Sequence, residues 1–411
     1  MNVVLKRIVV LSALLAGGLL TACGSSQKDY SNATPLASID TRLAVTPLWA
    51  VQTGDVPPSA HAQLPVKVDG ERVYLADRDG GVSALDGHKG KRLWRVNLGE
   101  ALAGGPGIGA RHLFVATRKA ELVALDKETG AEQWRQRISS EMLAAPVVAN
   151  EQVVVQTIDG KISVHDVATG NRLWVYARSI PNLTLRGTSA PLVVDDKILA
   201  GFSDGRLVAL RLTDGELLWE ATIATPHGRT DLERLVDIDG LFQVEDGIVY
   251  VSSFQGRVAA ISVVNGNVVW ARDMSSYTGL AVGVGQVFVT DAQSKVWALD
   301  GRTGATLWRQ DNLQGRELSA PAVVGDSVVV ADFDGFMHWL SRDDGQFIAR
   351  NNLAVSWGKL NHVWEDEEQD ERRRSVTVPP LAVADTLYVR DDTGALTVFR
   401  LASRRPFAVS R

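Results

Sequence analysis

The stretch LVALDKETGAEQW, residues 122–134, returns with small changes along most of the chain. Upstream stands VSALDGHKGKRLW (82–94), and downstream follow ISVHDVATGNRLW (162–174), LVALRLTDGELLW (207–219), VAAISVVNGNVVW (258–270) and VWALDGRTGATLW (296–308). A seventh copy, MHWLSRDDGQFIA (337–349), keeps the frame but ends on Ala349 where the others end on Trp. In all seven a glycine (Gly90, Gly130, Gly170, Gly215, Gly266, Gly304, Gly345) stands four residues before that last position. Glycine supplies the positive φ of a tight turn, and an Asp four residues earlier (Asp86, Asp126, Asp166, Asp300) can bond the turn's own amides.

Two shorter runs precede each copy, as in PVVANEQVVVQTIDGKISVHD (146–166). Alternating Val, Ile and Leu between turn residues predicts strands, four to a repeat. The spacing from Trp94 to Trp134 to Trp174 is 40 and 40 residues, and no helical stretch of note interrupts the pattern. Such a repeat predicts an all-β fold, a β-propeller of four-stranded antiparallel blades. After the seventh copy, PLAVADTLYVRDDTGALTVFRLA (380–402) supplies three strands and no Trp strand. The missing strand stands at the other terminus, in VTPLWAVQTG (45–54) with Trp49. The count is therefore eight blades, the ring closed by an N-terminal strand joining the C-terminal blade, with no open edge. Each Trp is expected to pack between neighbouring blades.

The N-terminus reads as an address. Lys6 and Arg7 precede a 13-residue apolar stretch, Ile8 to Leu20, too short to span a bilayer as a mature helix. LTAC (20–23) then places small residues before the only cysteine, the pattern of a bacterial lipoprotein cleaved before Cys23 and acylated on it. Several acyl chains on Cys23 would hold the protein stably at a membrane. Gly24 in place of Asp is similar to lipoproteins exported to the outer membrane. The expected organisation is a cleaved signal over 1–22, an acylated N-terminus and flexible tether over 23–42, and the propeller over 43–411. No cysteine follows Cys23, so no disulfide framework supports the fold. The net charge of −5, with dispersed basic residues, argues against nucleic acid as a partner.

A catalytic constellation is hard to find. The repeats resemble those of quinoprotein dehydrogenases, eight-bladed propellers that hold pyrroloquinoline quinone (PQQ) and calcium on the axis, and a periplasmic enzyme of that kind is the alternative reading. Against it, those enzymes have longer chains with an adjacent cysteine pair beside the cofactor, and acidic residues here do not group outside turn positions. The seven histidines (61, 88, 112, 165, 227, 338, 362) show no paired metal spacing, and His165, in a place held by Leu elsewhere, is expected to be a packed or rim residue and not a ligand. No nucleophile elbow, phosphate loop or zincin motif appears. GGPGIG (104–109) is expected as a turn between blades, and EDEEQDERRR (365–374) as a solvated loop. The reading assigns no catalytic residue, no cofactor and no metal.

Two interblade segments stand apart: VYARSIPNLTLRGTSAP (175–191) and EATIATPHGRTDLERLVDIDG (220–240), the latter stretching the interval from Trp219 to Trp270 to 51 residues. Successive connections of this class emerge at one end of a propeller, so Leu183, Leu185 and Arg186 are expected beside Asp237 and Asp239. Apolar side chains ringed by both charge signs make a protein-binding patch. A strand's inward face for the leucines and plain loop solvation for the aspartates is the other reading of the same residues.

The lipobox, the eight quinoprotein-like blades, LTLRGTSAP and DLERLVDID together resemble the BamB family, lipoproteins of the machinery (BAM complex) that assembles β-barrels into the Gram-negative outer membrane. The resemblance covers nearly the whole mature chain. It implies a non-catalytic scaffold, lipid-anchored on the periplasmic side of the outer membrane, that docks on the POTRA domains of BamA. By resemblance, Leu183, Leu185, Arg186, Asp237 and Asp239 are the partner-binding residues. Unfolded outer-membrane protein precursors, pairing with strand edges, are a further partner the reading admits. The charged run at 365–374 looks longer than the family's usual loop, so no role there is inherited.

Overall fold

A computed structural model describes residues 32–54, 64–181, 183–184, 189–227, 229–230, 233, 235–238, 240–361 and 374–401. Their strands form eight sheets, each of four antiparallel strands. Seven blades are continuous in sequence (67–97, 102–137, 147–177, 192–222, 243–273, 280–310 and 322–352). In the eighth, strands at Leu381–Val383, Thr386–Arg390 and Ala395–Leu401 are completed by the N-terminal strand Val45–Gln52, with Val45 opposite Leu401 and Gln52 opposite Ala395. First strands of neighbouring blades touch one another around the axis, and the repeat's Trp strand is outermost. Second and third strands are buried almost throughout, as in Leu113–Thr117 and Leu122–Leu125, and blade-to-blade packing of these forms the core.

One joint repeats seven times. Trp94 Nε1 donates to the Lys127 carbonyl at 3.2 Å, Trp134 to Val167 at 2.9 Å, and Trp49, Trp174, Trp219, Trp270 and Trp308 to Gly87, Leu212, Val263, Gly301 and Arg342. Every acceptor lies three residues before the next blade's turn glycine. That glycine meets the ring itself: a Cβ on Gly130 would sit 2.7 Å from Trp94, and one on Gly90 2.5 Å from Trp49. Gly130 also has φ 76°, so the turn and the joint both require it. The expected Asx bonds are present, with Asp126 Oδ1 accepting from Thr129 N at 2.8 Å and Thr129 Oγ1 at 2.7 Å.

The seventh copy's Ala349 has a structural reason. The blade that follows is the one made from both chain ends, and it has no third-to-fourth-strand turn for a Trp to dock on. Trp339 from the third strand of blade 7 is fully buried there instead, packed with Ile348, Ala349, Leu353, Val376 and Phe399.

Two expectations are corrected. GGPGIG is not a turn: Leu102–Ile108 is the innermost strand of blade 2, with register shifts between Leu102 and Gly104 and between Gly104 and Gly107. Its glycines are needed because the next connection passes directly over it, so that a Cβ on Gly107 would come within 2.2 Å of the Pro146 carbonyl. A nine-residue helix, Leu353–Asn361, also follows blade 7 and packs on Val45–Gln52, where the chain fills the joint that lacks a turn. The run 365–374 lies outside the described residues except for its last member. Arg374 is paired, with Nη1 2.9 Å from Asp391 Oδ2 and its guanidinium 5.2 Å from the Trp357 ring.

Candidate docking face

All connections between blades gather at one end of the propeller, hydrogen-bonded to the turns between second and third strands. The pattern runs from Leu98 N to Gly80 O (2.9 Å), through Ile138 N to Ala120 O (2.9 Å) and Arg178 N to Gly160 O (3.0 Å), to Ile223 N to Gly205 O (2.9 Å) and Phe254 N to Asp237 O (2.9 Å). The two segments singled out in the sequence, 175–191 and 220–240, hold connections 178–191 and 223–242, which therefore share this end.

The first opens on a clamp. Arg178 Nε lies 2.7 Å from Asp204 Oδ2, and Nη1 pairs with Glu220, which also pairs with Arg206. Burial opposes the Arg178 charge, but Glu220 and Asp204 outweigh it and hold its pKa above the usual arginine value. Leu183 is 47% exposed, so it is available on the surface rather than an inward strand position. Leu185 and Arg186 lie outside the described residues. The segment re-enters at Ser189, which is fully buried.

The second connection has an exposed tip and a buried return. At the tip, Glu233 Oε2 accepts from Arg229 N at 2.6 Å and Thr230 N at 3.2 Å, while Glu233 N donates to Thr230 Oγ1 at 3.2 Å. This is the reciprocal geometry of a capping box, and the backbone amides of Arg229 and Thr230 lower the Glu233 pKa. The pattern Thr-x-x-Glu at 230–233 is the mark of that box in the sequence. On the return, Leu235, Val236, Asp237 and Ile238 are all buried, and Ile238 joins the cluster of Leu199, Leu207, Phe242 and Val249. Asp237 has no exposed surface, and its carbonyl accepts from Phe254 N at 2.9 Å. Asp239 lies outside the described residues.

The two segments meet at Gly201. A Cβ there would stand 2.5 Å from Ile238 Cγ2 and 3.0 Å from Ser189 Oγ, so the glycine is the gap through which the end of each connection reaches the same strand. Between the start of the second connection and blade 5 lies a cleft of about 470 Å³, with Thr222, His227, Gln255, Arg257 and Asp273 on its walls. Among the described residues no group of three or more His, Cys, Asp or Glu could hold a metal. His165 is buried as expected, between Ser163 Oγ and the Gly170 carbonyl, each 3.0 Å away. The face offers shape, apolar area and charge to a partner.

A family model described as "Outer membrane protein assembly factor BamB" matches residues 78–310 and 278–405. The chain belongs to the BamB family. BamB of Alkalilimnicola ehrlichii is 47% identical over 396 residues, covering 96% of this chain and 97% of that one. BamB of Pseudomonas aeruginosa is 43% identical, covering 95% and 98%. Among solved structures, BamB from Moraxella catarrhalis superposes with a TM-score of 0.76 at 27% identity, covering 87% of this chain and all of that one. A quinohemoprotein alcohol dehydrogenase from Pseudomonas putida superposes with a TM-score of 0.65 at 12% identity, covering 89% and 78%. That second likeness shows the propeller alone, so the quinoprotein dehydrogenases share a BamB architecture and nothing of its chemistry follows from them.

Proposed function

We propose that this protein is a non-catalytic scaffold lipoprotein of the BAM complex. Acyl chains on Cys23 anchor it to the outer membrane on the periplasmic side, and the connections 178–191 and 223–242 dock on the POTRA domains of BamA. Relatives 47% and 43% identical over nearly their full length bear the name of an outer-membrane protein assembly factor, which supports assembly work and not an enzymatic reaction. The observation that carries the docking site is the junction at Gly201, where these two connections are tied to one strand.

In this reading Leu183, Leu185 and Arg186 make the contact, while Asp237 and Asp239 belong to the second half of the patch. The burial of Asp237 gives it a positioning role: it holds the return of the loop beneath the surface that the partner meets. Anchoring near the partner raises the effective concentration of the face, so a modest interface suffices. No described helix is long and apolar enough to cross a membrane.

Purification from envelopes in mild detergent tests the proposal. Co-isolation with BamA and the other assembly subunits is the expected result, and isolation of the protein alone counts against it. Cys23→Ala is expected to release a folded protein into the soluble periplasmic fraction; continued membrane attachment would rule the lipid out as the anchor.

A further inference from the structure

Residues 32–43, expected as part of a flexible tether, lie along blades 6 and 7 as a strap. Thr34 N donates to the Gln314 carbonyl at 2.9 Å, and Arg316 Nη1 donates to the Thr34 carbonyl at 3.3 Å. Arg350 Nη1 donates to the Ala37 carbonyl at 2.7 Å, and the amides of Arg42 and Leu43 reach the Ile348 carbonyl at 2.8 and 3.1 Å. Leu36 packs with Trp308, Leu313 and Leu318, and Leu43 with Trp339 and Ala349. The receiving groups are themselves fixed. Arg316 is buried, with Nε 2.6 Å from Asp332 Oδ2 and Nη2 2.9 Å from Asp334 Oδ2, so the donor to Thr34 has no freedom to swing away.

The direction of the strap matters. Gln314 belongs to the connection between blades 6 and 7, whose neighbour Gly315 bonds the Gln293 carbonyl, so Thr34 sits at the docking end. Ile348 follows the turn glycine Gly345 by three residues, so Arg42 sits at the opposite end. The chain then climbs back as Val45–Gln52, and Gln52 Nε2 reaches the Thr393 carbonyl at the docking end. The first described residues of the strap, Asn32 to Thr34, therefore lie at the docking end, at the rim of blades 6 and 7.

We infer that the strap orients the molecule, holding the end with connections 178–191 and 223–242 toward the membrane. This rests on the reading of Cys23 as the acylated residue. Nine peptide units join Cys23 to Asn32, which span about 31 Å at full extension, and about 15–18 Å as a flexible coil. Strands of six residues make the propeller about 20 Å deep from one end to the other. To place the opposite end against the membrane, the link would have to double back along the whole depth of the propeller, beyond its coil dimensions. With the docking end toward the membrane it can stay relaxed. The partner surface therefore works in the layer between the propeller and the lipid.

Acylation consumes the Cys23 thiol, the only one in the chain, so an introduced cysteine can be labelled alone. The acylated protein would be placed in phosphatidylethanolamine and phosphatidylglycerol vesicles carrying a headgroup acceptor dye, with a donor on Lys119→Cys or Gln293→Cys (docking end), or on Glu128→Cys or Arg302→Cys (opposite end). All four positions are exposed turn residues, in matched pairs on blades 2 and 6. Energy transfer is expected to be at least twofold greater from the docking end in both blades. Equal or greater transfer from Glu128→Cys and Arg302→Cys would overturn the inference. A 20-residue Gly/Ser insertion between Cys23 and Asn32 is expected to level the four signals, and an undiminished difference would show that the strap does not set the orientation. Failure of the protein to join vesicles at all would instead remove the acylation reading beneath it.

Discussion

At each of seven joints a tryptophan of one blade and a glycine of the next occupy neighbouring space, and the indole N–H closes the contact with a hydrogen bond to the turn. The pair explains why the repeat is readable: the glycine leaves no room for a Cβ beside the ring and the ring fills the joint, so both recur at fixed spacing. Trp134→Ala is expected to cost about 3–5 kcal/mol of unfolding free energy by urea titration, as for other large aromatic truncations. Trp134→Phe, which keeps most of the apolar area but loses the bond to Val167, should cost nearer 1 kcal/mol. His338 behaves differently. It is fully buried in blade 7, with Nε2 2.9 Å from Asp332 Oδ2 and Nδ1 accepting from Arg350 Nε at 3.2 Å. That geometry requires a neutral ring with its proton on Nε2. Burial pushes the His338 pKa below its ordinary 6.5, against the opposing pull of Asp332. The unfolded chain therefore takes up a proton before the folded one does. Stability from this site is complete above pH 6.5 and declines as the pH falls below it. The thermal unfolding midpoint should fall on acidification from pH 6.5 to 5, and His338→Gln should flatten that decline.

Among the elements, the closing blade depends on a residue that no pattern announces. Arg390 is fully buried, and its Nη1 donates to the Ala76 carbonyl at 2.6 Å and its Nη2 to the Gly54 carbonyl at 3.1 Å, joining blade 8 to the second strand of blade 1 and to the segment that precedes that blade. Burial lowers its pKa to about 10, with Asp77 and Asp391 opposing. Arg390→Ala leaves those carbonyls without donors, and at about 1–3 kcal/mol for each buried unsatisfied group the expected loss is about 3 kcal/mol, checked by urea unfolding. Blade number, strand order and the composite ring closure were legible because hydrophobic alternation and turn glycines have a fixed period. The strap, the helix and Arg390 were not, because each is defined by one distant contact: a backbone carbonyl, a joint without a turn, a neighbouring blade's segment. GGPGIG misled for a related reason. Its glycines signal the close passage of another segment over a strand, and in sequence alone that composition is the same as a turn's. Of the site, the location of the two connections was legible from spacing, whereas the exposure of Leu183 and the burial of Asp237 depend on how the loops fold, the second of them back on Ile238.

For the molecule as a whole, a ring with a Trp–Gly joint at seven of its eight seams is a body built to hold surfaces in fixed relation. The chain ends share a blade, the strap runs the depth of the propeller, and the two long connections lie at the end from which the strap departs. Binding energy at such a face concentrates in few residues. Docking of this face on BamA is tested by a calorimetric titration of the mature propeller into the periplasmic POTRA domains, with Arg186→Glu alongside. The account predicts saturable binding by the unaltered protein and a loss of about 2 kcal/mol, roughly 30-fold in Kd, for Arg186→Glu with an unchanged unfolding midpoint. Equal affinity for the two proteins, or no binding by either, would contradict it.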